Sequence, residues 1–341
     1  MIAYLLTVLC AAFLSFGLIA SSKPFLQRYA LARPNARSSH KTPTSQGGGI
    51  AVILSTLLLA VLSLHLHKPP IEQSIGLPLV FSATILLAFV GAVDDMRVLA
   101  VGPRLALQGL AVAIVVAALP THLRILPIIP WWIERACFLL CGVWFVNLVN
   151  FMDGIDWMTV AEMVPLTAGL AFFGSLGFLP TEATILSAAL CGALVGFAPF
   201  NKPVAALFLG DVGSLPIGLL VGWLLALFAE NGHLAAALLL PLYYIADSGV
   251  TLLRRLCKGE SILQAHRRHF YQRALDGGLS VFQIVSRVLA INLGLIALAA
   301  LTLFYHALTA QLLSLAAGSI MVAMLLRSFD RSSVRPIDGA H

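Results

Sequence analysis

The sequence predicts an all-α integral membrane protein, a single bundle of about eleven transmembrane helices. Of its 341 residues, 60% are hydrophobic and only 11% are charged, well below the roughly 25% of charged residues in soluble domains. Apolar stretches of about 17 to 25 residues, long enough to cross a bilayer as helices, follow one another along the chain. We therefore expect residues 1–341 to form one transmembrane domain without a separate soluble unit.

The expected spans can be read directly from the apolar stretches. No Lys or Arg precedes the first of them, so we interpret it as a membrane span and not as a secretory signal. In chain order the expected spans are residues 1–20, 48–66, 75–93, 105–120, 134–151, 158–179, 182–199, 212–229, 233–253, 281–305 and 308–326.

The basic residues predict the orientation of this bundle. If each span crosses the membrane, Lys68, Arg124 and Arg135 lie on one face and the other Lys and Arg of the loops lie on the opposite face. The positive-inside rule makes the richer face cytoplasmic, with the N-terminus outside and the C-terminus inside. Topology and contact with anionic lipids account for much of the net charge of +6, and binding of a phosphorylated substrate would account for some of it.

Five short polar segments interrupt the apolar chain, and the span count places all of them on the predicted cytoplasmic face. They combine acids, amides, histidines and basic side chains, which suits a membrane enzyme that acts on a phosphorylated substrate supplied from the cytosol. The segments are residues 40–49, 94–95, 147–156, 201–214 and 254–273.

The segment 147–156 has a polar side chain at every third position: Asn147, Asn150, Asp153 and Asp156. Residues three apart are neighbours on a helix surface, so these groups can converge on one ligand. Carboxylate and amide oxygens are hard ligands that suit Mg²⁺. The alternative is a helix terminus rich in Asn and Asp that caps itself.

Asp94 and Asp95 close the third expected span. Adjacent helical residues point about 100° apart, so the two acids are not expected to share one task. One could face the substrate while the other anchors Arg97 or Arg104; alternatively, both belong to a solvated helix end.

Asp211 stands between Gly210 and Gly213, immediately before the eighth expected span. Glycine lets a ligand approach the backbone closely, and a helix N-terminus attracts anions. The acid could bind a Mg²⁺-diphosphate complex or simply cap the helix. Phe208, three residues earlier, could stack on a base or pack into lipid.

The segment 266–273 is the most cationic part of the chain. Two histidines three residues apart could hold Zn²⁺, but the neighbouring arginines would repel a cation, so phosphate binding fits better. A charged membrane-surface loop is the alternative. Asp247, inside the ninth expected span, is interpreted as structural support for basic residues, and Lys41 as a mobile cation beside the glycines 47–49.

In their order along the chain, these segments resemble the polyprenyl-phosphate N-acetylhexosamine-1-phosphate transferases. The match runs from Lys41-Thr42-Pro43 to the histidine segment, and its specific signatures are Asn150-Phe-Met-Asp153-Gly-Ile-Asp156 and Phe208-Leu-Gly-Asp211-Val-Gly-Ser214. Trp157 departs from the pattern, because many members have glycine there. The final loop lacks three consecutive histidines and looks more like the branch that starts O-antigen chains than like the peptidoglycan enzyme.

The resemblance implies a UDP-N-acetyl-amino sugar as donor, undecaprenyl phosphate as acceptor, and Mg²⁺, or alternatively Mn²⁺, as cofactor. Sugar-1-phosphate would pass to the lipid, releasing UMP, at the cytoplasmic side of a bacterial inner membrane. Membrane lipids are expected partners and nucleic acid is not, while a homodimer is left open. Two alternatives remain: the phospho-N-acetylmuramoyl-pentapeptide substrate of peptidoglycan synthesis, and a secondary transporter for a phosphorylated solute.

The resemblance also assigns roles by position. Asp211 looks like a Mg²⁺ ligand, Asp94 like the residue that handles the acceptor phosphate, and Phe208 and Asn201 like uridine contacts together with Lys41 and Asp156. The expected catalytic residues are Asp94, Asp95, Asp153 and Asp156; the expected substrate-binding residues are Lys41, Asn150, Asn201, Phe208, Arg104, His266, Arg267 and His269; and the expected metal ligands are Asp211, Asn150 and Asp153.

Overall fold

The computed structural model describes residues 1–29, 31–32, 44–67, 76–120, 124–261 and 266–332, and these are almost wholly helical. The prediction of an all-α polytopic membrane protein is confirmed. In chain order the helices are α1 (Ile2–Tyr29), α2 (Gly48–His67), α3 (Leu77–Met96), α4 (Val101–Ala117), α5 (Trp131–Met152), α6 (Met158–Ser175), α7 (Thr181–Phe197), α8 (Asp211–Phe228), α9 (Leu234–Leu239), α10 (Leu242–Cys257), α11 (Phe270–Asp276), α12 (Val281–Phe304) and α13 (Leu308–Ser332).

Within these described ranges, nine stretches are long and apolar enough to cross a membrane, and α4 is a shorter apolar helix. The difference from the expected eleven arises at the fourth expected span, which is the short helix α4, and at the ninth. One stretch runs from Asp211 to Leu239, and α10, only 16 residues long, carries Asp247, Arg254 and Arg255.

The chain nevertheless reverses direction between α8 and α9. Helix α8 runs antiparallel to α5, since Asp211 lies beside Asn150 at one end of α5 and Glu230 pairs with Arg135 at the other. A π-helical turn at Ala229–His233 then contains Gly232 with φ 90°, outside the helical region. Helices α9 and α10 lead back, so that the far end of α10 lies near the end of α5 that carries Asn150.

Contacts at the two ends of the bundle differ in character. At one end, the ring of Phe178 contacts His233 and Phe304 with centroids 5.4 and 5.8 Å away, and Arg124 pairs with Glu134. The other end carries the ends of α3 and α5 and the start of α8. We call this end the polar face.

A small three-stranded sheet joins two of the polar segments at the polar face. Its strands are β1 (Leu31–Ala32), β2 (Thr44–Gln46) and β3 (Leu207–Phe208), in the order β1-β2-β3. Strand β2 pairs antiparallel with β1 and parallel with β3. The sheet therefore places the first long loop beside the segment that leads into α8.

Glycines at the start of α2 allow that loop to approach α8 closely. The N–H of Gly49 donates to the carbonyl of Leu209 at 2.9 Å. A Cβ on Gly49 would lie 2.3 Å from the Cα of Gly213, which no side chain tolerates. Glycine at the start of α2 thus permits a close backbone approach to α8, whereas Lys41 lies outside the described residues.

Candidate active site

The polar face brings together side chains from three helices that are far apart in sequence. Asp94 and Asp95 end α3, Asn150 lies in the last turn of α5, and Asp211 begins α8. The carboxyl groups of Asp94 and Asp211 lie beside each other. We refer to Asp94, Asp95, Asp211 and Asp153 as the acid cluster.

Asp95 caps the N-terminus of α8 from a different helix. Its Oδ1 accepts a hydrogen bond from the N–H of Asp211 at 3.0 Å, and its Oδ2 accepts one from the N–H of Val212 at 3.1 Å. These N–H groups have no partner within their own helix. Because both oxygens are engaged, Asp95 positions the start of α8, and its expected catalytic role stays a prediction.

Gly210 is required for this cap. Its φ of +77° lies in the region that favours glycine, and a Cβ there would lie 2.6 Å from Oδ2 of Asp95. Gly210 therefore makes room for the carboxylate of Asp95, as well as for any ligand that approaches the backbone here.

The Asp94 carboxylate accepts hydrogen bonds from a backbone N–H group and from an arginine side chain. Its Oδ1 accepts a hydrogen bond from the N–H of Leu99 at 2.7 Å, and Nη1 of Arg104 donates to its Oδ2 at 2.9 Å. The expectation that one acid of the pair anchors Arg104 applies to Asp94. The same carboxylate also lies against Asp211, so Arg104 offsets part of the negative charge of the acid cluster.

Asn150 orients Asp211. Its Nδ2 donates to Oδ1 of Asp211 at 2.7 Å and to the hydroxyl of Ser214 at 2.9 Å. In this arrangement its amide nitrogen orients the Asp211 carboxylate, and the expected role of Asn150 as a metal ligand stays a prediction. Ser214 was recognised only as part of a motif, and its contact with Asn150 was missed.

Asp153 follows the end of α5 and accepts a hydrogen bond from the hydroxyl of Thr159. Burial raises the pKa of Asp153 to about 6; the Thr159 hydrogen bond opposes this rise and the charges of Asp95 and Asp156 add to it. The carboxyl group is therefore mostly ionised at neutral pH and can attract a cation.

Asp156 and Asn201 brace the loops around the site. Oδ2 of Asp156, a buried residue, accepts from the N–H of Ala205 at 3.0 Å. The Asn201 amide accepts from the N–H of Trp157 at 2.8 Å and donates to the carbonyl of Leu207 at 3.0 Å. Both residues were expected to contact uridine, whereas the structure engages these atoms in the protein backbone.

Trp157, which departs from the family pattern, adopts a left-handed backbone conformation with φ 61°. Glycine adopts that conformation without strain, which gives a physical reason for a glycine at this position. Here the indole Nε1 donates to the carbonyl of Ala198 at 2.7 Å, and the backbone N–H is held by Asn201. These two hydrogen bonds hold the strained turn.

The histidine segment packs against the end of α5. His269 is buried, with its Nδ1 3.2 Å from Oδ1 of Asp247. Asp247 also accepts hydrogen bonds from the N–H groups of Phe270 at 3.0 Å and Tyr271 at 3.2 Å. Asp247 is thus structural support, as expected, but its partner is the N-terminus of α11; the sequence offered no signal for that pairing.

Tyr271 connects α11 to the acid motif and was not predicted. Its hydroxyl donates to the carbonyl of Phe151 at 3.1 Å, and Gly154 makes room, because a Cβ there would lie 2.1 Å from that hydroxyl. Burial raises the pKa of Tyr271 well above its ordinary value, so the group stays protonated.

The other expected substrate residues lie at the edges of this site. Phe208 is half-buried on β3, two residues before Gly210. The ring centroid of His266 lies 4.9 Å from that of His269, and Nη2 of Arg267 donates to Asp276 at 2.9 Å. Their contacts with substrate stay predictions.

The donor set fits a divalent cation in its chemistry. Among the described residues, no group of three or more acidic, histidine or cysteine side chains is placed to bind a metal ion by itself. Mg²⁺ is often bound by one or two carboxylates, with waters and substrate phosphates completing the shell. The touching carboxylates of Asp94 and Asp211, with Asp153 nearby, provide such a partial set.

The acid cluster lies inside the part of the chain that matches a known family model. The model of "Glycosyl transferase family 4" matches residues 77–229, which include Asp94, Asn150 and Asp211. The protein is an enzyme, as predicted, which leaves the transporter alternative without support.

Individual relatives are similar over most of the chain. A decaprenyl-phosphate N-acetylglucosaminephosphotransferase of Mycobacterium leprae is 26% identical, covering 81% of this chain and 78% of that protein. Its namesake in Mycolicibacterium smegmatis is 27% identical over 74% of this chain and 70% of that protein. A phospho-N-acetylmuramoyl-pentapeptide-transferase of Streptococcus pyogenes is 26% identical, covering 72% and 79%.

Proposed function

We propose that this protein transfers an N-acetylhexosamine-1-phosphate from a UDP-sugar to undecaprenyl phosphate and releases UMP. The product would start a lipid-linked surface glycan such as O-antigen. The observation that carries the proposal is the contact of Asp94 with Asp211, oriented by Asn150, at the membrane face where the other polar segments meet.

The names of the relatives support the reaction class. The mycobacterial proteins are named for a polyprenyl phosphate acceptor and an N-acetylglucosamine phosphate group, and the streptococcal one for another N-acetylated sugar phosphate. We transfer to this protein only the chemistry that these names share, which is a lipid phosphate acceptor and an N-acetylhexosamine-1-phosphate group. The choice of undecaprenyl as the lipid is part of the proposal.

The proposal places the polar face in the cytoplasm of a bacterial inner membrane. The basic residues of the loops favour this orientation, and a nucleotide sugar is supplied from that side. Arg104 and Arg267 are described residues of this face. Arginine side chains there can donate to phosphate oxygens of either substrate.

We assign Asp211 and Asp153 to the binding of Mg²⁺, with Asp94 beside them. When bound, the ion would neutralise charge on the diphosphate of the donor. Asn150 keeps the Asp211 carboxylate in one orientation, and Asp95 keeps the backbone of that residue in place. Phosphoryl transfer depends mainly on such positioning and on neutralised charge.

We assign Asp94 to the acceptor. Because the second pKa of a phosphate monoester is near 6, much of the lipid phosphate is already dianionic at neutral pH, and a strong base is not required. A phosphate oxygen would attack the sugar-bearing phosphorus in line, and Asp94 would orient the acceptor and take any remaining proton. Trapping a phosphorylated Asp94 during turnover would contradict direct attack and favour a covalent route.

The second candidate substrate is UDP-N-acetylmuramoyl-pentapeptide. The similarity to the streptococcal transferase over 79% of its length favours it as the alternative. The divergent final loop, His266-Arg-Arg-His269, favours the O-antigen branch.

One assay separates these candidates. Purified protein is incubated with undecaprenyl phosphate, Mg²⁺ and one UDP-sugar at a time, including UDP-N-acetylmuramoyl-pentapeptide. UMP release is measured, and the mass of the lipid product is determined by mass spectrometry. We expect release with a UDP-N-acetylhexosamine and loss of release with EDTA. Turnover of the pentapeptide substrate alone would establish the alternative, and no UMP release with any donor would refute the proposal.

A further inference from the structure

A basic cavity lies at the polar face, apart from the acid cluster. It has a volume of about 740 Å³. Five basic side chains within the described ranges line it: three at or just after the C-terminal end of α10, one in the loop before α11, and one in α11. They are Arg254, Arg255, Lys258, Arg268 and Arg273.

Helix α11 separates this cavity from the acid cluster. On one side of α11, Tyr271 donates to the carbonyl of Phe151 near the acid motif. On the other side, the guanidinium carbon of Arg254 lies 4.6 Å from the ring centre of Phe270, and Arg273 pairs with Asp330 of α13. The cavity is therefore distinct from the proposed catalytic site.

The carboxylates of the cavity do not balance its cations. Among the described residues, two acids, Glu260 and Asp330, line it with the five basic side chains, an excess of three positive charges. Glu260 is already shared between Arg255 and Arg268, and their guanidinium groups lower its pKa, so it is ionised at neutral pH. Clustered cations repel one another, and an anion in the cavity would relieve that repulsion.

Apolar side chains flank these cations on the outside of α10. Leu253 and Leu256 are 61% and 60% exposed, next in sequence to Arg254 and Arg255. A helix that presents exposed leucines beside basic residues is suited to lie at a membrane interface, with acyl chains against the leucines and headgroups against the cations. Basic pockets between membrane helices are known to bind anionic headgroups.

We propose that this cavity binds the phosphate-bearing headgroup of an anionic phospholipid. Arginines donate to the phosphate oxygens, Lys258 adds a mobile charge, and the acyl chains lie along the exposed leucines of α10. A bound headgroup would stabilise the packing of α10, α11 and α13, and through α11 the histidine segment.

The test compares lipid binding by matched variants. The full-length protein is placed in nanodiscs of equal parts phosphatidylglycerol and phosphatidylcholine, and the lipids retained on the released protein are counted by native mass spectrometry. We expect the wild type to retain phosphatidylglycerol preferentially. Lys258→Gln and, separately, Arg273→Gln should each reduce that preference by about fivefold.

Two controls distinguish charge in the cavity from charge in general. Lys258→Arg keeps the cation and should keep the preference. Arg287→Gln removes an exposed cation of α12 that does not line the cavity and should also keep it. Unfolding temperatures in pure phosphatidylcholine nanodiscs report the fold of each variant independently of the anionic lipid.

Three results would overturn the proposal. Equal retention of both lipids by the wild type would show no headgroup recognition. Loss of the preference in Arg287→Gln as large as in Lys258→Gln would show a diffuse surface effect. Protection of the protein against thermal unfolding by inorganic phosphate, without any by phosphatidylglycerol, would show that the cavity takes a soluble phosphate instead.

Discussion

Asp94 and Asp95 are neighbours in sequence, yet their carboxylates perform separate tasks. Asp94 contacts Arg104 and Asp211, whereas Asp95 accepts hydrogen bonds from two backbone N–H groups at the start of α8. The roughly 100° between adjacent helical positions predicts such a division. Which acid takes which task depends on α8, whose first residue is 116 positions further along the chain.

Asp211→Asn should nearly abolish UMP release, by about 100-fold or more, because it removes charge from the proposed metal site. Asp276→Asn, an exposed acid of α11, is the matched control and should change release far less. The readout is UMP release at saturating substrates. Substantial residual turnover in Asp211→Asn would remove Asp211 from the metal site.

Gly210→Ala should destabilise the protein by a few kcal/mol and reduce activity. The substitution combines a strained φ of +77° with a Cβ placed 2.6 Å from the carboxylate of Asp95. Gly278→Ala is the matched control, because its φ is +95° but nothing lies within 4 Å of the added Cβ. Thermal unfolding of both variants measures the difference; equal losses would mean that the clash with Asp95 is unimportant.

Helix α11 has only seven residues, so its own hydrogen bonds cannot hold it in place. Asp247 caps it from α10, and Tyr271 attaches it to the end of α5. Its sequence predicts a cationic segment that binds phosphate or, alternatively, forms a charged loop at the membrane surface, and the structure shows a short, largely buried helix. The difference arises because an acid 23 residues upstream satisfies its first N–H groups.

Asp247→Ala should loosen α11, because it leaves two buried N–H groups without an acceptor, a cost of about 1–3 kcal/mol for each. Hydrogen exchange should accelerate in residues 270–276, with less change in α8. Asp247→Asn retains one carbonyl oxygen as an acceptor and should show a smaller effect. Unchanged exchange of residues 270–276 in Asp247→Ala would contradict the assigned role of the cap.

The bundle places acids and amides at one face and leaves the opposite face with structural ion pairs. The π-helical turn at Ala229–His233 and the pair Arg135–Glu230 belong to the opposite face. This alternation agrees with the loop order expected from the apolar stretches, although α10, which overlaps the ninth expected span, is shorter than the stretches that can cross a membrane. Its Asp247 and Arg255 form hydrogen bonds with segments that follow α10 in the chain.

The proposed orientation predicts which loops an impermeant reagent reaches in intact cells. In a background without the five native cysteines, Ile128→Cys, in a loop of the opposite face and 91% exposed, should react with an impermeant maleimide. Gly278→Cys, between α11 and α12, should react only after the cells are opened. The reverse pattern would place the polar face outside and refute the cytoplasmic assignment.

Much of this enzyme could be predicted without coordinates. The apolar stretches predict the helical bundle because a bilayer admits only segments that satisfy their own backbone, and the order of the polar motifs predicts the family. The motifs also indicate that Asp94, Asn150 and Asp211 belong to one site, since the spans return each of them to the same face.

The individual tasks at that site required the folded chain. Asp95, Asp156 and Asn201 carry side chains that could serve a substrate, yet the oxygens they direct at the protein accept backbone N–H groups of distant segments. A carboxylate or amide has the same chemistry whether it binds a ligand or caps a helix. Which of the two it does depends on the donors that packing places within 3 Å or so, and residue type and spacing do not specify those donors.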